Sequence, residues 1–362
     1  MIVAYVSGHG YGHATRTGEV LRALREQAPR APLAVVSAAP EWLFRKAIPC
    51  PLTFRSLECD VGPVQENALV IDESATAEGC RRFASGWDAL VEREASWLRA
   101  SGARLVLGDI PPLAFEAARR AGLPSVALAN FSWDWVYRHL ARRKPGLAAA
   151  ADACAEAYRG CGLLLRLPFA GDLSAFPRVE DVPLVARRPG VSGAEARRRL
   201  GLGDDRPLVL LSFGGIGLPG FDASVLDALA GYRFVSVGPA ATGPGTLDVI
   251  APTELDAAGL GYQDLVAAVD VVVTKPGYGI VSDAIGARTR LVYTDRGDFP
   301  EYPILVREMP RYLPSAYVSN ADLLAGRLSS ALEAVRLLPW PEPQLTTGAE
   351  VCAARLLARW VG

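Results

Sequence analysis

Ser7-Gly8-His9-Gly10-Tyr11-Gly12-His13-Ala14-Thr15-Arg16 follows an apolar run, Ile2 to Val6, and opens an amphipathic one. A strand that passes through three alternating glycines into a helix makes a tight corner. The glycines permit the turn and let backbone approach a ligand closely, while the helix offers free N–H groups and the positive end of its dipole. Such a corner suits an anion or a polar sugar. Two of the three histidines of the chain, His9 and His13, stand in it, and an imidazole accepts a hydroxyl proton near neutral pH. The plainer alternative is a turn that only caps the fold. A dinucleotide site fits less well, because the spacing is GxGxG where that fingerprint needs GxGxxG. The next apolar run, Leu33 to Val36, also ends in Ser37-Ala38-Ala39, with no acid to hold a ribose.

Working outward, apolar strand-like runs alternate with Ala- and Arg-rich helical patterns, which predicts α/β layers on parallel sheets. Strands are expected at Ile2–Val6, Leu33–Val36, Leu105–Gly108, Ser125–Leu128 and Gly162–Leu165. Between Leu167 and Pro189 the pattern breaks into Pro-Phe, Phe-Pro, Val-Pro and Arg-Arg-Pro, the mark of a linker. A second series then begins at Pro207–Ser212 and continues at Phe234–Val237, Leu247–Ile250, Val269–Thr274 and Arg290–Tyr293. The reading is a first Rossmann-like domain over 1–175, a linker over 176–192 and a second Rossmann-like domain over 193–340. A closing helical segment over 341–362 is expected to pack back on the first domain.

At 362 residues, half of them hydrophobic, the chain can fill two cores. A net charge of -1 from 38 basic and 39 acidic residues gives no electrostatic reason to expect nucleic acid as partner. The six cysteines show no CxxC pair and have too few histidines beside them for a zinc set, so they read as reduced thiols of a cytoplasmic protein. No secretory signal is recognised, and no apolar run reaches the roughly 18 residues of a membrane span.

The second half repeats the logic of the first. Ser212-Phe213-Gly214-Gly215-Ile216-Gly217 ends a strand in closely spaced glycines where a diphosphate could sit, and Thr274-Lys275-Pro276-Gly277-Tyr278-Gly279 runs into another helix. Six residues after Gly277, Asp283 lies about one and a half turns into that helix, where a carboxylate can accept both ribose hydroxyls. Asp295-Arg296-Gly297-Asp298-Phe299-Pro300-Glu301-Tyr302-Pro303 adds polar groups for sugar hydroxyls. Surface turns with satisfied side chains are the alternative for each loop.

These loops, in tandem α/β domains, resemble GT-B glycosyltransferases of the MurG-like superfamily. There, a glycine loop of the first domain carries a histidine, as Gly10 to His13 do, and a glycine turn of the second is followed by an acid on the ribose. The usual glutamate stands here as Asp283, one methylene shorter. A closer resemblance, to the amino-terminal glycosyltransferase-like half of plant L-arabinokinases, rests on Tyr5 to Arg16, Cys59-Asp60-Val61-Gly62-Pro63-Val64-Gln65-Glu66-Asn67-Ala68-Leu69 and Asn130-Phe131-Ser132-Trp133-Asp134. It continues in Asp181-Val182-Pro183-Leu184-Val185 and Asp298 to Pro303. The kinase domain of those proteins has no counterpart in this sequence.

The resemblance implies a GT-B fold with two Rossmann-like domains facing across a cleft, and sugar transfer from a nucleotide-sugar, uridine- or thymidine-linked, to a small-molecule or glycan hydroxyl. Gly214 and Gly215 would lie near the diphosphate, Gly277, Tyr278 and Asp283 around the base and ribose, and Glu301 on the sugar, with Gly10, Gly12, Gly279, Phe299 and Tyr302 also among the donor-binding residues. Lys275 or Arg296 would offset phosphate charge as the leaving group departs, so no metal is expected and no Asp-x-Asp follows a strand. His13 is the first choice for general base, Asp109 the second, with His9 beside them. Asp60, Gln65, Asn67, Trp133 and Asp134 would meet the acceptor, core packing being the alternative for Trp133. An epimerase or hydrolase of nucleotide-sugars, or a non-catalytic sensor of them, would share these features.

Overall fold

In a computed structural model describing residues 1–48, 50–65, 70–203, 205–213, 221–238 and 247–361, the chain builds two parallel sheets covered by helices. The first contains β1 (Ile2–Val6), β2 (Leu33–Ser37), β3 (Thr53–Ser56), β4 (Leu105–Asp109), β5 (Ser125–Ala129), β6 (Leu163–Arg166) and β7 (Val179–Asp181), ordered β3-β2-β1-β4-β5-β6-β7. The second contains β8 (Leu208–Ser212), β9 (Arg233–Val237), β10 (Leu247–Ile250), β11 (Val271–Thr274), β12 (Arg290–Tyr293) and β13 (Ser315–Tyr317), ordered β10-β9-β8-β11-β12-β13. Both are doubly wound: each begins at its centre, builds to one edge, returns and builds to the other. The strand order therefore reverses between β1 and β4 and between β8 and β11, and ligands of such sheets bind outside the carboxyl ends of strands at that reversal.

The expected α/β architecture of two Rossmann-like domains is the one found. β1, β2, β4, β5 and β8 are buried at every residue, which is why they read as unbroken apolar runs. Three strands had no such signal. β3 (TFRS), β7 (VED) and β13 (SAY) lie at sheet edges and are partly or largely exposed. Because β7 pairs with β6 inside the stretch read as linker, the first sheet extends past residue 175.

Beyond β7 the chain crosses between domains in extended form. Leu184 donates to Leu345 O (3.2 Å) and accepts from Gly348 N (3.1 Å). A side chain at Gly348 would collide with Pro183 O, 2.1 Å from a Cβ there, so the crossing strand and the start of the helix Gly348–Val361 lie in direct contact. That helix buries Cys352, Ala353 and Leu356 against the helix Tyr11–Gln27 of the first domain. Gln27 Nε2 donates to Glu350 O (3.0 Å). Among the described residues no helix is long and apolar enough to cross a membrane.

Candidate active site

The carboxyl edges of the two sheets face each other. A Cβ on Gly279 would lie 3.4 Å from Gly12 Cα, so glycine at both corners lets the two helix N-termini touch. Gly10, at φ 76°, is the residue that turns β1 into the helix Tyr11–Gln27, a conformation that glycine adopts without strain.

Within that helix, His13, Arg16 and Thr17 stand at i, i+3 and i+4 and share one face. Opposite them, the β1–β4 register sets Asp109 beside Val6. The fully buried Asp109 carboxylate accepts four hydrogen bonds: from His13 Nδ1 (2.8 Å), Arg16 Nη2 (2.5 Å), Arg16 Nε (2.8 Å) and Thr17 Oγ1 (2.6 Å). Burial alone would push this carboxyl up, but the charge of Arg16, the His13 ring beside it and the hydrogen bonds from both outweigh it and hold it well below the usual carboxylate range. Asp109, the second choice for base, is thus saturated with donors and has the geometry of an orienting group instead. Nδ1 of His13 faces the Asp109 carboxylate, which only accepts, at 2.8 Å and the Arg16 guanidinium, which only donates, at 3.1 Å; in the neutral tautomer that serves the shorter contact, Nδ1 carries the proton and Nε2 keeps its lone pair. Nε2 takes no hydrogen bond from any described residue.

His9 behaves differently. Its pKa falls to about 3, first through burial, then through its electrostatic neighbours His13, Arg296 and Lys275, so the ring is neutral at physiological pH. It meets Trp133 edge-on (centroids 5.4 Å apart, 86°) and fills the space where Gly62 lacks a side chain, with Nδ1 2.1 Å from a Cβ built there.

The residues expected at the acceptor divide. Trp133 is wholly buried, stacked on Tyr137, and donates from Nε1 to Asp60 Oδ2 (2.6 Å). It is therefore core, with no face free for a sugar. Asp60 is buried beside His13; burial pushes its carboxyl up against hydrogen bonds from Trp133 and Ser7. Asp134 accepts from Ser132 Oγ (2.5 Å) at the start of its own helix, which commits it locally. Gln65 is half-buried and bridges to Ile71, while Asn67 lies outside the described residues.

On the second domain, Lys275 and Arg296 reach the junction. The Lys275 pKa drops to about 8 because of burial and then the Arg296 charge, and the guanidinium of Arg296 lies 3.7 Å from a Cβ position on Gly277. Tyr278 is buried, with the Arg16 guanidinium 5.1 Å over its ring, and its hydroxyl accepts from Val185 N (3.3 Å). Asp283 is 3% exposed and held bidentately by Arg187 from the crossing strand, through Nε at 3.0 Å and through Nη2. A ribose could reach that carboxylate only by displacing Arg187. Glu301, 1% exposed, accepts from Arg296 Nη1 (2.5 Å) and from Asn130 Nδ2 of the first domain (2.6 Å). Phe299 packs edge-on against Phe131 (5.9 Å, 88°), and the partly buried Tyr302 has its hydroxyl pushed up to about 12, first by burial and then by Asp295, Tyr293 and Tyr317. Gly214 and Gly215 lie outside the described residues.

Arg16, Thr17, Asn130 and Arg187 were not singled out by sequence reasoning. Arg16 and Asn130 lie inside the quoted motifs, and the i, i+3, i+4 spacing from His13 was the signal for Arg16 and Thr17.

Two parallel doubly wound domains, meeting corner to corner at their strand-order reversals, define a GT-B fold, and comparison with solved structures agrees. A glycosyltransferase of kitacinnamycin superposes with a TM-score of 0.60 (15% identity, 99% of this chain and 94% of that one). An indoxyl-glucosylating UDP-glucosyltransferase of Polygonum tinctorium gives 0.58 (14% identity, 100% and 98%). A protein of Listeria monocytogenes described as a UDP-N-acetylglucosamine 2-epimerase gives 0.59 (13% identity, 99% and 94%). In sequence, the chain is 35% identical over 363 residues to L-arabinokinase of Arabidopsis thaliana, covering 99% of this chain and 34% of that protein. It thus spans about a third of the length of the curated relative it matches. No protein-family model matches the chain.

Proposed function

We propose that this chain is a cytoplasmic glycosyltransferase that moves a sugar from a uridine- or thymidine-linked nucleotide donor to the hydroxyl of a small molecule or glycan. The observation that carries the reading is the His13–Asp109 pair (2.8 Å) at the β1–β4 reversal, with Nε2 left as acceptor and the glycine corner of the second domain against it.

In the proposed step, His13 Nε2 takes the proton from the acceptor hydroxyl as its oxygen attacks the anomeric carbon. The bond from that carbon to the diphosphate oxygen breaks, and the electron pair leaves with the diphosphate. A single displacement inverts the anomeric centre. Asp109 keeps Nδ1 protonated and the ring in place, and stabilises the imidazolium that forms. Lys275 and Arg296, with the N-terminus of the helix Tyr278–Ala287, would receive the diphosphate charge, a role often filled by a divalent metal.

The test is turnover of a panel of nucleotide-sugars by the wild type, His13→Ala and Asp109→Asn. Removal of a general base is expected to lower turnover about 10²–10⁴-fold while nucleotide affinity holds. Undiminished turnover in His13→Ala would refute the assignment. Nucleotide released without any acceptor would favour an epimerase or hydrolase, and binding without turnover in the wild type a sensor.

A further inference from the structure

Two of the sequence motifs mate across the domain junction. Asn130 and Phe131, at the carboxyl end of β5, meet Glu301 and Phe299, which follow β12: Phe131 packs edge-on against Phe299, and Asn130 Nδ2 donates to Glu301 Oε1 (2.6 Å). Asn130 is wholly buried, so its amide has no water to turn to. On its other side, Oδ1 accepts from Arg16 Nη1 (2.6 Å), and Arg16 in turn grips Asp109, the partner of His13. One unbroken path thus runs from the partly buried Arg296 of the second domain through the buried Glu301, Asn130, Arg16 and Asp109 to His13.

The polarity of the amide is what matters. Asn130 must donate to Glu301 and accept from Arg16, and only one of its two orientations does both. With Glu301 in place that orientation is fixed. With the second domain moved away, the NH2 group loses its fixed acceptor, either orientation of the amide becomes open to it, and Arg16 loses a fixed acceptor in turn. We infer that Asn130 is a positioning residue and that Asn130–Glu301 is a clasp through which docking of the second domain locks the Arg16–Asp109–His13 assembly. Glu301 is then a reader of domain closure, its two oxygens committed to Arg296 and Asn130. The catalytic part of this inference rests on the reading of His13 as base; the clasp itself does not.

The chemistry supplies a reciprocal test. In Asn130→Asp the new carboxylate still accepts from Arg16 but faces Glu301 with like charge. In Glu301→Gln a single amide oxygen must serve two donors, Asn130 and Arg296. In the double variant the polarity is exchanged: the Gln amide donates to the Asp carboxylate while its oxygen accepts from Arg296. Each single variant is expected to lower kcat about tenfold with the dissociation constant of a nucleoside diphosphate changed less than about twofold, and the double variant to recover most of the loss. Small-angle scattering should show a larger radius of gyration for the single variants and a wild-type value for the double. If Asn130→Asp does not fold, a double variant that does is itself the rescue. A double variant no better than the sum of the single losses overturns the clasp, as do single variants with wild-type scattering and kcat. If no nucleotide-sugar turns over in the wild type, the transferase reading fails, and scattering with thermal melting of the four proteins still decides the clasp.

Discussion

Arg16→Met tests the electrostatics of the assembly. The methionine keeps the length and apolar stem of the side chain, so little cavity forms, but Asp109 loses two of its four donors and its compensating charge. Asp109 is 0% exposed and Arg16 3% exposed, and removing one partner of so buried a pair costs about 3–5 kcal/mol. For a folding unit the size of the first domain, about 2–4 °C of Tm follows each kcal/mol, so the melting temperature should fall by about 6–20 °C. Arg16→Lys, which keeps the charge but loses the planar fork, should fall by less.

The pH dependence carries the sign. In the wild type the Asp109 carboxyl lies below its unfolded value, so its contribution is complete above about pH 4 and is lost only as pH falls through the folded value. Without Arg16 the burial that pushes the group up has less to oppose it. The folded variant then takes up a proton at higher pH than the unfolded chain, and its stability declines as pH rises. Calorimetry at pH 5 and pH 8 should therefore show a smaller gap from the wild type at pH 5. A loss under about 1 kcal/mol, or a gap that widens on acidification, would refute the reasoning.

Two further outcomes follow from neighbouring groups. With the Lys275 pKa near 8, the ammonium is charged below that value and neutral above it, so pyrophosphate affinity measured by calorimetry should weaken between pH 7 and pH 9, and Lys275→Met should flatten the change. Arg187→Met frees both Asp283 oxygens; if ribose competes for them, uridine diphosphate should bind about 3–10-fold tighter as the cost of displacement is removed. Equal or weaker binding by the folded variant would confine Asp283 to holding the crossing strand.

The sequence was most legible where burial is complete. Strands such as β1 and β8 are covered on both faces, so selection for burial writes them as apolar runs, whereas β3, β7 and β13 form edges and take polar residues that erase the signal. Glycine corners were legible for a related reason: Gly10 needs a positive φ, and Gly12 and Gly279 need the close approach of two backbones. The partners of charged side chains were not. Asp283 and Arg187 are 96 residues apart and Asn130 and Glu301 171 apart, and no local period records which carboxylate meets which guanidinium. A loop acid reads as a ligand for sugar hydroxyls when its protein partner lies in another domain.

That hidden pairing has an order of its own. Along the path the charges alternate, Asp109 negative, Arg16 positive, Glu301 negative, Arg296 positive, with the neutral Asn130 amide between Arg16 and Glu301 oriented to serve both. Desolvating any one of these groups alone would be costly, and the opposite charge or amide next to it along the path offsets that cost. Glu301 finds one of its two partners only when the domains meet, since Asn130 belongs to the first and Arg296 to the second. The same contact that closes the junction therefore satisfies the last buried donor beside Arg16, so the electrostatics of the His13 assembly and the position of the second domain form one equilibrium rather than two.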